Sequence, residues 1–252
     1  MKALWGGERS GQQDRRLPAP AHPKGGLPFD WETYYAVITH LDEGIGRLTG
    51  EIEKAGLWEN TLLVFLGDNG YLCGTKGLQG KVEAWEESTR VPMIVSGGPV
   101  RARASTDAPV ASIDLPATLL DYAGVKPAHS LAGKSLRPEL ETGKSKREEA
   151  FSSWNDGRPE ALLVPRSVEP YRVVRTRSHK YILWESKKQM LFDLLSDPAE
   201  EKNLAADAAY ARTLRQMRDS LARRMRATND PAMAWMSHSA SSSSRPPLSC
   251  RS

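Results

Sequence analysis

The chain has 252 residues, 39% of them hydrophobic, and a formal net charge of +4 at pH 7. This length allows one large domain or two smaller ones. No apolar run approaches the roughly 20 residues of a membrane span, and the basic residues are not interleaved with aromatic ones as in a base-stacking platform. The composition therefore predicts neither a membrane span nor nucleic-acid binding.

The first part of the chain combines an irregular arm with a long helix. Residues 1–28 are rich in Gly, Pro and Arg without periodicity, which predicts an extended arm. The arm lacks the apolar core of a signal peptide, so the compartment stays open. From Asp30 to position 55, apolar residues recur at intervals of three and four, the pattern of an amphipathic helix. Asp30 is its predicted N-cap and Gly56 its end.

A short apolar run at residues 61–66 ends at Gly67, and it predicts a buried strand of a mostly parallel sheet. Asp68 and Asn69 follow it directly, where open α/β sheets bind ligands. A carboxylate beside an amide offers hard oxygen ligands that suit Ca²⁺ or Mg²⁺. We therefore predict Asp68 and Asn69 as metal ligands, although Asp-Asn-Gly is also a common turn sequence.

A glycine-rich loop then leads to Lys81, and it can bring the lysine ammonium back over the same site. Positive charge beside a divalent metal would stabilise a tetrahedral anionic group, on whose oxygens charge develops during transfer. The pattern predicts Lys81 as a catalytic residue acting on sulfate or phosphate esters.

The remaining elements follow in order. Residues 90–97 predict a second strand, and residues 112–122 a helix with Pro116 in its first turn. The charged residues 134–149 predict a linker, which divides the chain into residues 29–140 and a carboxyl-terminal subdomain at 141–236. Short strands are predicted at 171–176, 180–184 and 190–194, and then a helix whose apolar stripe packs on the core. The Ser-rich residues 237–252 predict a disordered tail.

Three ordered motifs resemble the carboxyl-terminal half of the sulfatase family. They are Asp-Asn-Gly-Tyr-Leu at residues 68–72, Gly-Leu-Gln-Gly-Lys at 77–81 and Glu-Glu-Ser-Thr-Arg-Val-Pro-Met-Ile at 86–94. Segments at 34–47, 113–124 and 191–204 are also similar to family segments, so the resemblance covers residues 29–204.

The resemblance implies an alkaline-phosphatase-like α/β fold: a mostly parallel sheet with flanking helices, here incomplete, followed by a small antiparallel sheet with a helix. It implies hydrolysis of sulfate esters of a small molecule or glycan. Ca²⁺ or Mg²⁺ would be held by Asp68 and Asn69, and Lys81 would stabilise the leaving side. Lys76 stands where relatives commonly have a histidine, so we predict that it binds substrate or changes substrate preference.

Two family features have no counterpart in this sequence. The family nucleophile is a formylglycine made in a Cys-x-Pro-Ser-Arg segment, whereas Cys73 precedes Gly-Thr-Lys and Cys250 precedes Arg-Ser. An acidic pair that supplies further metal ligands is also missing before Asp68. We therefore expect the chain to represent the carboxyl-terminal part of a sulfatase, with a missing amino-terminal half as its partner.

Two other functions are compatible with the sequence. A phosphodiesterase or phosphonate hydrolase of the same superfamily would use the metal and Lys81 equally well. A non-catalytic remnant would bind anions or a partner protein through an exposed sheet edge.

Overall fold

The computed structural model describes residues 29–98, 100–102, 104–155 and 169–236. The predicted arm (1–28) and tail (237–252) lie outside these residues. The helices are α1 (Trp31–Lys54), α2 (Glu86–Thr89), α3 (Leu115–Tyr122), α4 (Arg137–Thr142) and α5 (Ala211–Ala227). The strands are β1 (Leu63–Leu66), β2 (Leu72–Cys73), β3 (Gln79–Gly80), β4 (Met93–Ser96), β5 (Glu149–Trp154), β6 (Tyr171–Thr176), β7 (His179–Trp184) and β8 (Gln189–Asp193).

Helix α1 has the predicted limits. The Asp30 side chain accepts a hydrogen bond from the Thr33 backbone N–H at 3.0 Å, which caps the first turn. The helix ends at Lys54, two residues before Gly56. Its apolar side is nevertheless exposed: Val37 and Leu48 have 62% and 53% of their surface accessible. Thus the periodicity predicted the helix correctly, but in the described structure little packs against it.

Strands β1 and β4 form a two-stranded sheet that differs from the prediction in two respects. They pair antiparallel, with Leu63 opposite Ser96 and Leu66 opposite Met93. All four residues of β1 are half-buried rather than buried. Both differences arise because, among the described residues, β4 is the only neighbour of β1, and the intervening loop reverses the chain direction.

That loop is ordered by a small hairpin. Strands β2 and β3 pair antiparallel, with Leu72 opposite Gly80, and Leu72 is fully buried. The hairpin returns the chain toward the end of β1 before α2 begins at Glu86.

The segment predicted as a charged linker is folded onto α3 and contains α4. Asp114, just before α3, is buried and accepts hydrogen bonds from the backbone N–H groups of Ala111 and Lys134, at 3.0 and 2.8 Å. Arg147 forms an ion pair with Asp114 at 3.1 Å. These contacts fasten both ends of the segment to one carboxylate.

The carboxyl-terminal subdomain is a four-stranded antiparallel meander in the order β5-β6-β7-β8. Its three later strands match the predicted segments, whereas β5 was not predicted. Side chains alternate between two covered faces. One face packs on α5 through Val174, Tyr181, Leu183, Leu191, Met217, Leu221 and Met225. The other face packs on the residues before α2 through Ala84, Trp85, Tyr171, Val173, Ile182, Trp184 and Phe192.

The segment after α5 is fastened to β6 by a bidentate ion pair. The Arg172 guanidinium donates to the two carboxylate oxygens of Asp230 at 2.6 and 2.8 Å, and it lies 4.9 Å from the centre of the Trp235 ring.

Within the described ranges, none of the helices is both long and apolar enough to cross a membrane.

Candidate functional site

The site is built around the turn that leaves β1. Asp68 is exposed and Asn69 is half-buried. The Asp68 carboxylate accepts the Asn69 backbone N–H at 2.9 Å, and the Asn69 side-chain amide donates to the Gly70 carbonyl at 2.9 Å. Both predicted metal ligands therefore also stabilise the turn that carries them.

Gly70 holds this turn against α2. Its backbone N–H donates to the Ser88 carbonyl at 2.9 Å. A Cβ added at Gly70 would lie 2.0 Å from the Glu87 carbonyl oxygen. Only glycine permits this approach, so α2 positions the turn through the two backbones.

Lys81 comes to the same place from the hairpin. It follows Gly80, whose φ of +106° is readily adopted by glycine. The Lys81 ammonium donates a hydrogen bond to the Asn69 side-chain oxygen at 3.0 Å. The structure thus brings Lys81 and Asn69 into contact, while Lys81 remains exposed.

The described oxygens are too few to hold a metal ion by themselves. Asp68 and Asn69 offer one carboxylate and one amide, whereas Ca²⁺ takes about six to eight oxygen ligands. In the part of the chain that the structure describes, no group of three or more His, Cys, Asp or Glu residues is placed to bind a metal. Any metal here needs further ligands.

Lys76 makes contacts with the carboxyl-terminal subdomain. Its ammonium donates to the backbone carbonyls of Ala199 and Glu200, the latter at 3.4 Å. It also lies 4.8 Å from the centre of the Trp85 ring. These contacts join the hairpin loop to the segment after β8, and the predicted role of Lys76 in substrate binding stays a prediction.

A buried ion cluster that the sequence analysis missed lies beside α2. The Lys180 side chain on β7 is fully buried, with its ammonium 2.9 Å from a Glu200 carboxylate oxygen and 3.2 Å from one of Glu86. The other Glu86 oxygen pairs with Arg175 at 3.1 Å, and Glu200 also accepts the Glu86 backbone N–H at 2.7 Å. The only sequence clue was a lysine in an otherwise apolar strand.

The two carboxyls of this cluster respond differently to their surroundings. Burial disfavours the charge on Glu86, but the adjacent Lys180 and Arg175 outweigh it and lower the pKa of Glu86. For Glu200, burial prevails over the attraction of Lys180 and raises its pKa. The cluster fixes the start of α2, whose other side holds the Gly70 turn.

Comparison with models of known protein families shows to which family the chain belongs. A Sulfatase model matches residues 15–125, and a model of the carboxyl-terminal region of N-sulphoglucosamine sulphohydrolase matches residues 74–227, more than half of the chain. The chain belongs to the sulfatase family. The second model includes β3, Lys81, α2 and the carboxyl-terminal sheet.

Two relatives are similar over most of the chain. A multifunctional alkaline phosphatase superfamily protein of Trinickia caryophylli is 30% identical over 193 residues, 73% of this chain and 38% of the relative. N-acetylglucosamine-6-O-sulfatase of Bacteroides thetaiotaomicron is 30% identical over 191 residues, 73% of this chain and 33% of the relative. This sulfatase chain therefore spans well under half the length of these relatives.

A solved structure confirms the predicted fold class. A protein in complex with its substrate D-glucosamine-2-N,6-O-disulfate superposes with a TM-score of 0.72 at 28% identity, covering 79% of this chain and 41% of that chain. The fold is therefore alkaline-phosphatase-like, with a sulfatase carboxyl-terminal sheet and helix.

Proposed function

We propose that this chain forms the carboxyl-terminal part of a metal-assisted hydrolase of sulfate esters and contributes Lys81, Asn69 and Asp68 to its active site. The observation that carries the proposal is the 3.0 Å hydrogen bond from Lys81 to Asn69. This bond joins two motifs, 12 residues apart in sequence, at the end of β1, where α/β folds bind ligands.

Lys81 would stabilise negative charge on the sulfate group. A lysine ammonium has three N–H donors, and the contact with Asn69 uses one of them. The other donors can bind oxygens of an exposed ester as negative charge develops on them. Loss of one such donor costs about 10²- to 10³-fold in kcat in comparable sites.

Membership of the sulfatase family implies a divalent metal and a formylglycine nucleophile. We propose Ca²⁺ as the metal, with Mg²⁺ as the alternative, because Asp68 and Asn69 are hard oxygen ligands. Two ligands do not suffice, and neither cysteine stands in a nucleophile motif. The remaining ligands and the nucleophile would come from residues beyond those described.

We propose a sulfated amino sugar, free or within a glycan, as the substrate. The relative named N-acetylglucosamine-6-O-sulfatase and the complex with a disulfated glucosamine support this class. Similarity to the solved phosphonate monoester hydrolase of Agrobacterium radiobacter, at 28% identity and a TM-score of 0.67, favours phosphonate ester hydrolysis as the second candidate. Lys76 would lie at the border of such a pocket and influence substrate preference.

The test is an assay of the protein encoded by the whole reading frame that contains this chain. We expect release of sulfate from glucosamine 6-sulfate in the presence of Ca²⁺, and a kcat at least about 100-fold lower in Lys81→Gln. Lys54→Gln, which changes an exposed lysine of α1, is the matched control and should leave kcat unchanged. Hydrolysis of phosphonate esters alone would support the second candidate, and hydrolysis of neither would favour a non-catalytic protein.

A further inference from the structure

Helix α5 carries an unusual concentration of positive charge. Its six arginines and one aspartate, all between Ala211 and Ala227, give it a formal charge of +5. The whole chain has a net charge of +4. The net positive charge of the protein therefore comes from this one helix, since the rest of the chain sums to about −1.

Most of this charge lies along one line of the helix surface. At 3.6 residues per turn, four arginines and the aspartate fall within an arc of about 80°. All of them are exposed. This arginine stripe consists of Arg212, Arg215, Arg223 and Arg226, with Asp219 between the two pairs. At 1.5 Å per residue the stripe is about 21 Å long, and its two pairs are centred about 16 Å apart.

The arginines of the stripe are available to a partner. Of the other two arginines, Arg218 donates to the Gln189 side-chain oxygen at 3.0 Å, and Arg224 lies 5.5 Å from the Phe151 ring centre. For the four in the stripe, no carboxylate among residues 29–155 and 169–236 that the structure describes lies within 4.0 Å of a guanidinium. The opposite side of α5 is occupied by the core.

The composition of the stripe favours one class of polyanion. A helix that only has to be soluble usually mixes both signs of charge, and here one aspartate stands among four arginines. Proteins that bind single-stranded nucleic acid add aromatic side chains on which bases stack, and α5 contains none. Guanidinium groups donate paired hydrogen bonds to tetrahedral oxyanions.

We propose that the arginine stripe of α5 binds a linear sulfated polysaccharide. The inference rests on the proposed function, since it extends the proposed substrate class from a sulfated sugar to a sulfated polymer. Each arginine pair can bind one sulfate group, but only a chain with several sulfates reaches both pairs. The stripe would therefore retain the polymer while individual esters are presented elsewhere on the protein.

Binding of a fluorescent heparin decasaccharide to the full chain, followed by anisotropy at several NaCl concentrations, tests the proposal. We expect the variant R212Q/R215Q/R223Q/R226Q to bind at least about tenfold more weakly. The slope of its log affinity against log NaCl concentration should be less steep than that of the unmodified chain by about 3. The double variant R212Q/R215Q should lose less. The matched control, K54Q/K126Q/K144Q/K146Q, removes four exposed lysines of other segments and should keep most of the affinity.

Several results would overturn the inference. One is that the quadruple arginine variant keeps the affinity of the unmodified chain, and another is that the lysine control loses as much affinity as that variant. The same holds if the chain binds the desulfated decasaccharide as tightly as the sulfated one. It also holds if the chain binds single-stranded DNA with the same number of charges as tightly as the decasaccharide. Thermal unfolding checks that both variants are folded. Binding requires no nucleophile, so the two proposals fail separately. If the chain binds the decasaccharide but the protein of the whole reading frame releases no sulfate, the proposed function is contradicted and the binding site on α5 remains.

Discussion

At the scale of single residues, Gly70 determines how closely the Asp68–Asn69 turn packs on α2. A Cβ at this position would lie 2.0 Å from the Glu87 carbonyl oxygen, and neither backbone can move without disturbing the turn. We expect Gly70→Ala to lower the free energy of unfolding by about 1–3 kcal/mol, the usual cost of forcing atoms into a packed site. Urea denaturation of the full chain measures this change.

Gly46, in the middle of α1, is the matched control because a Cβ there has no neighbour within 4 Å. Alanine should be neutral there or stabilise the helix by about 0.5–1 kcal/mol. Equal effects of Gly70→Ala and Gly46→Ala on stability would show that the contact between the turn and α2 is absent in solution.

The contrast between Lys81 and Lys76 shows how far a site can be predicted residue by residue. Glycines on both sides of a short loop indicated that Lys81 returns to Asn69, and the structure places the two in contact. Lys76 lies in the same loop, but its partners are carbonyls at positions 199 and 200, more than 120 residues away. No local pattern carries information about contacts at that distance.

At the scale of elements, Lys180 of β7 connects the carboxyl-terminal sheet to α2. Its ammonium is the buried counter-charge of both Glu200 and Glu86. Lys180→Met would leave the buried Glu200 carboxylate without its cation and Glu86 with Arg175 alone, so we expect a loss of about 3–5 kcal/mol in stability. Urea denaturation with intrinsic fluorescence measures it.

The double variant K180M/E200M tests whether this cost comes from the unpaired charge. Apolar replacement of a buried ion pair is often neutral, and Glu86 would keep its pair with Arg175. The double variant should therefore recover much of the stability that Lys180→Met loses. A single variant as stable as the unmodified chain would contradict the described burial of Lys180.

The segment after α5 predicts a specific dependence of stability on pH. The hydrogen bond from Arg172 lowers the pKa of Asp230, against the opposing effect of burial and with help from the Ala232 backbone N–H. A carboxyl whose folded pKa lies below its unfolded value of about 3.9 stabilises the fold above that pH. This stabilisation is lost as pH falls through the folded pKa.

Asp230→Asn should therefore lower stability at pH 7 and reduce the loss of stability on acidification from about pH 4 to pH 2. Urea midpoints at several pH values give both quantities. Asp42→Asn, an exposed position on α1, is the control and should change neither. A variant with the same acid dependence as the unmodified chain would show that the pair with Arg172 does not form.

The elements that the sequence predicted best are those with strong periodicity. Helices α1 and α5 and strands β6 to β8 follow their apolar patterns closely. Strand β5 is missed because Glu-Ala-Phe-Ser-Ser-Trp has weak alternation, and its extended form depends on pairing along all six residues with β6. The antiparallel partner of β1 likewise depends on how a distant segment returns, which hydrophobicity does not encode.

At the scale of the whole molecule, the regions on either side of position 140 share a core. Ala84 and Trp85, just before α2, pack with Val173, Ile182 and Phe192 of the carboxyl-terminal sheet. The Tyr171 hydroxyl also donates to the Glu83 carbonyl at 3.0 Å. The boundary at residues 140 and 141 stays a prediction, and these contacts explain how the sheet supports the loop that carries Lys81.

Helix α1 exposes apolar surface. On α1, Val37, Leu41 and Leu48 are 62%, 51% and 53% exposed, and Thr49 is the only buried residue of this helix. Large exposed apolar patches usually mark surfaces that another part of a protein covers. The relatives, of which this chain covers 38% and 33%, contain more polypeptide than is present here.

We therefore expect the isolated 252-residue chain to bind a hydrophobic dye and to self-associate through α1. The variant V37E/L41E/L48E should reduce both while changing the free energy of unfolding by less than about 0.5 kcal/mol, because these residues are more than half exposed and Glu is a good helix former. Leu221→Glu on α5, where Leu221 is 2% exposed, should instead unfold the carboxyl-terminal subdomain. If the triple variant on α1 were as destabilising as Leu221→Glu, α1 would already be packed in solution, and the dye-binding surface would have to lie elsewhere.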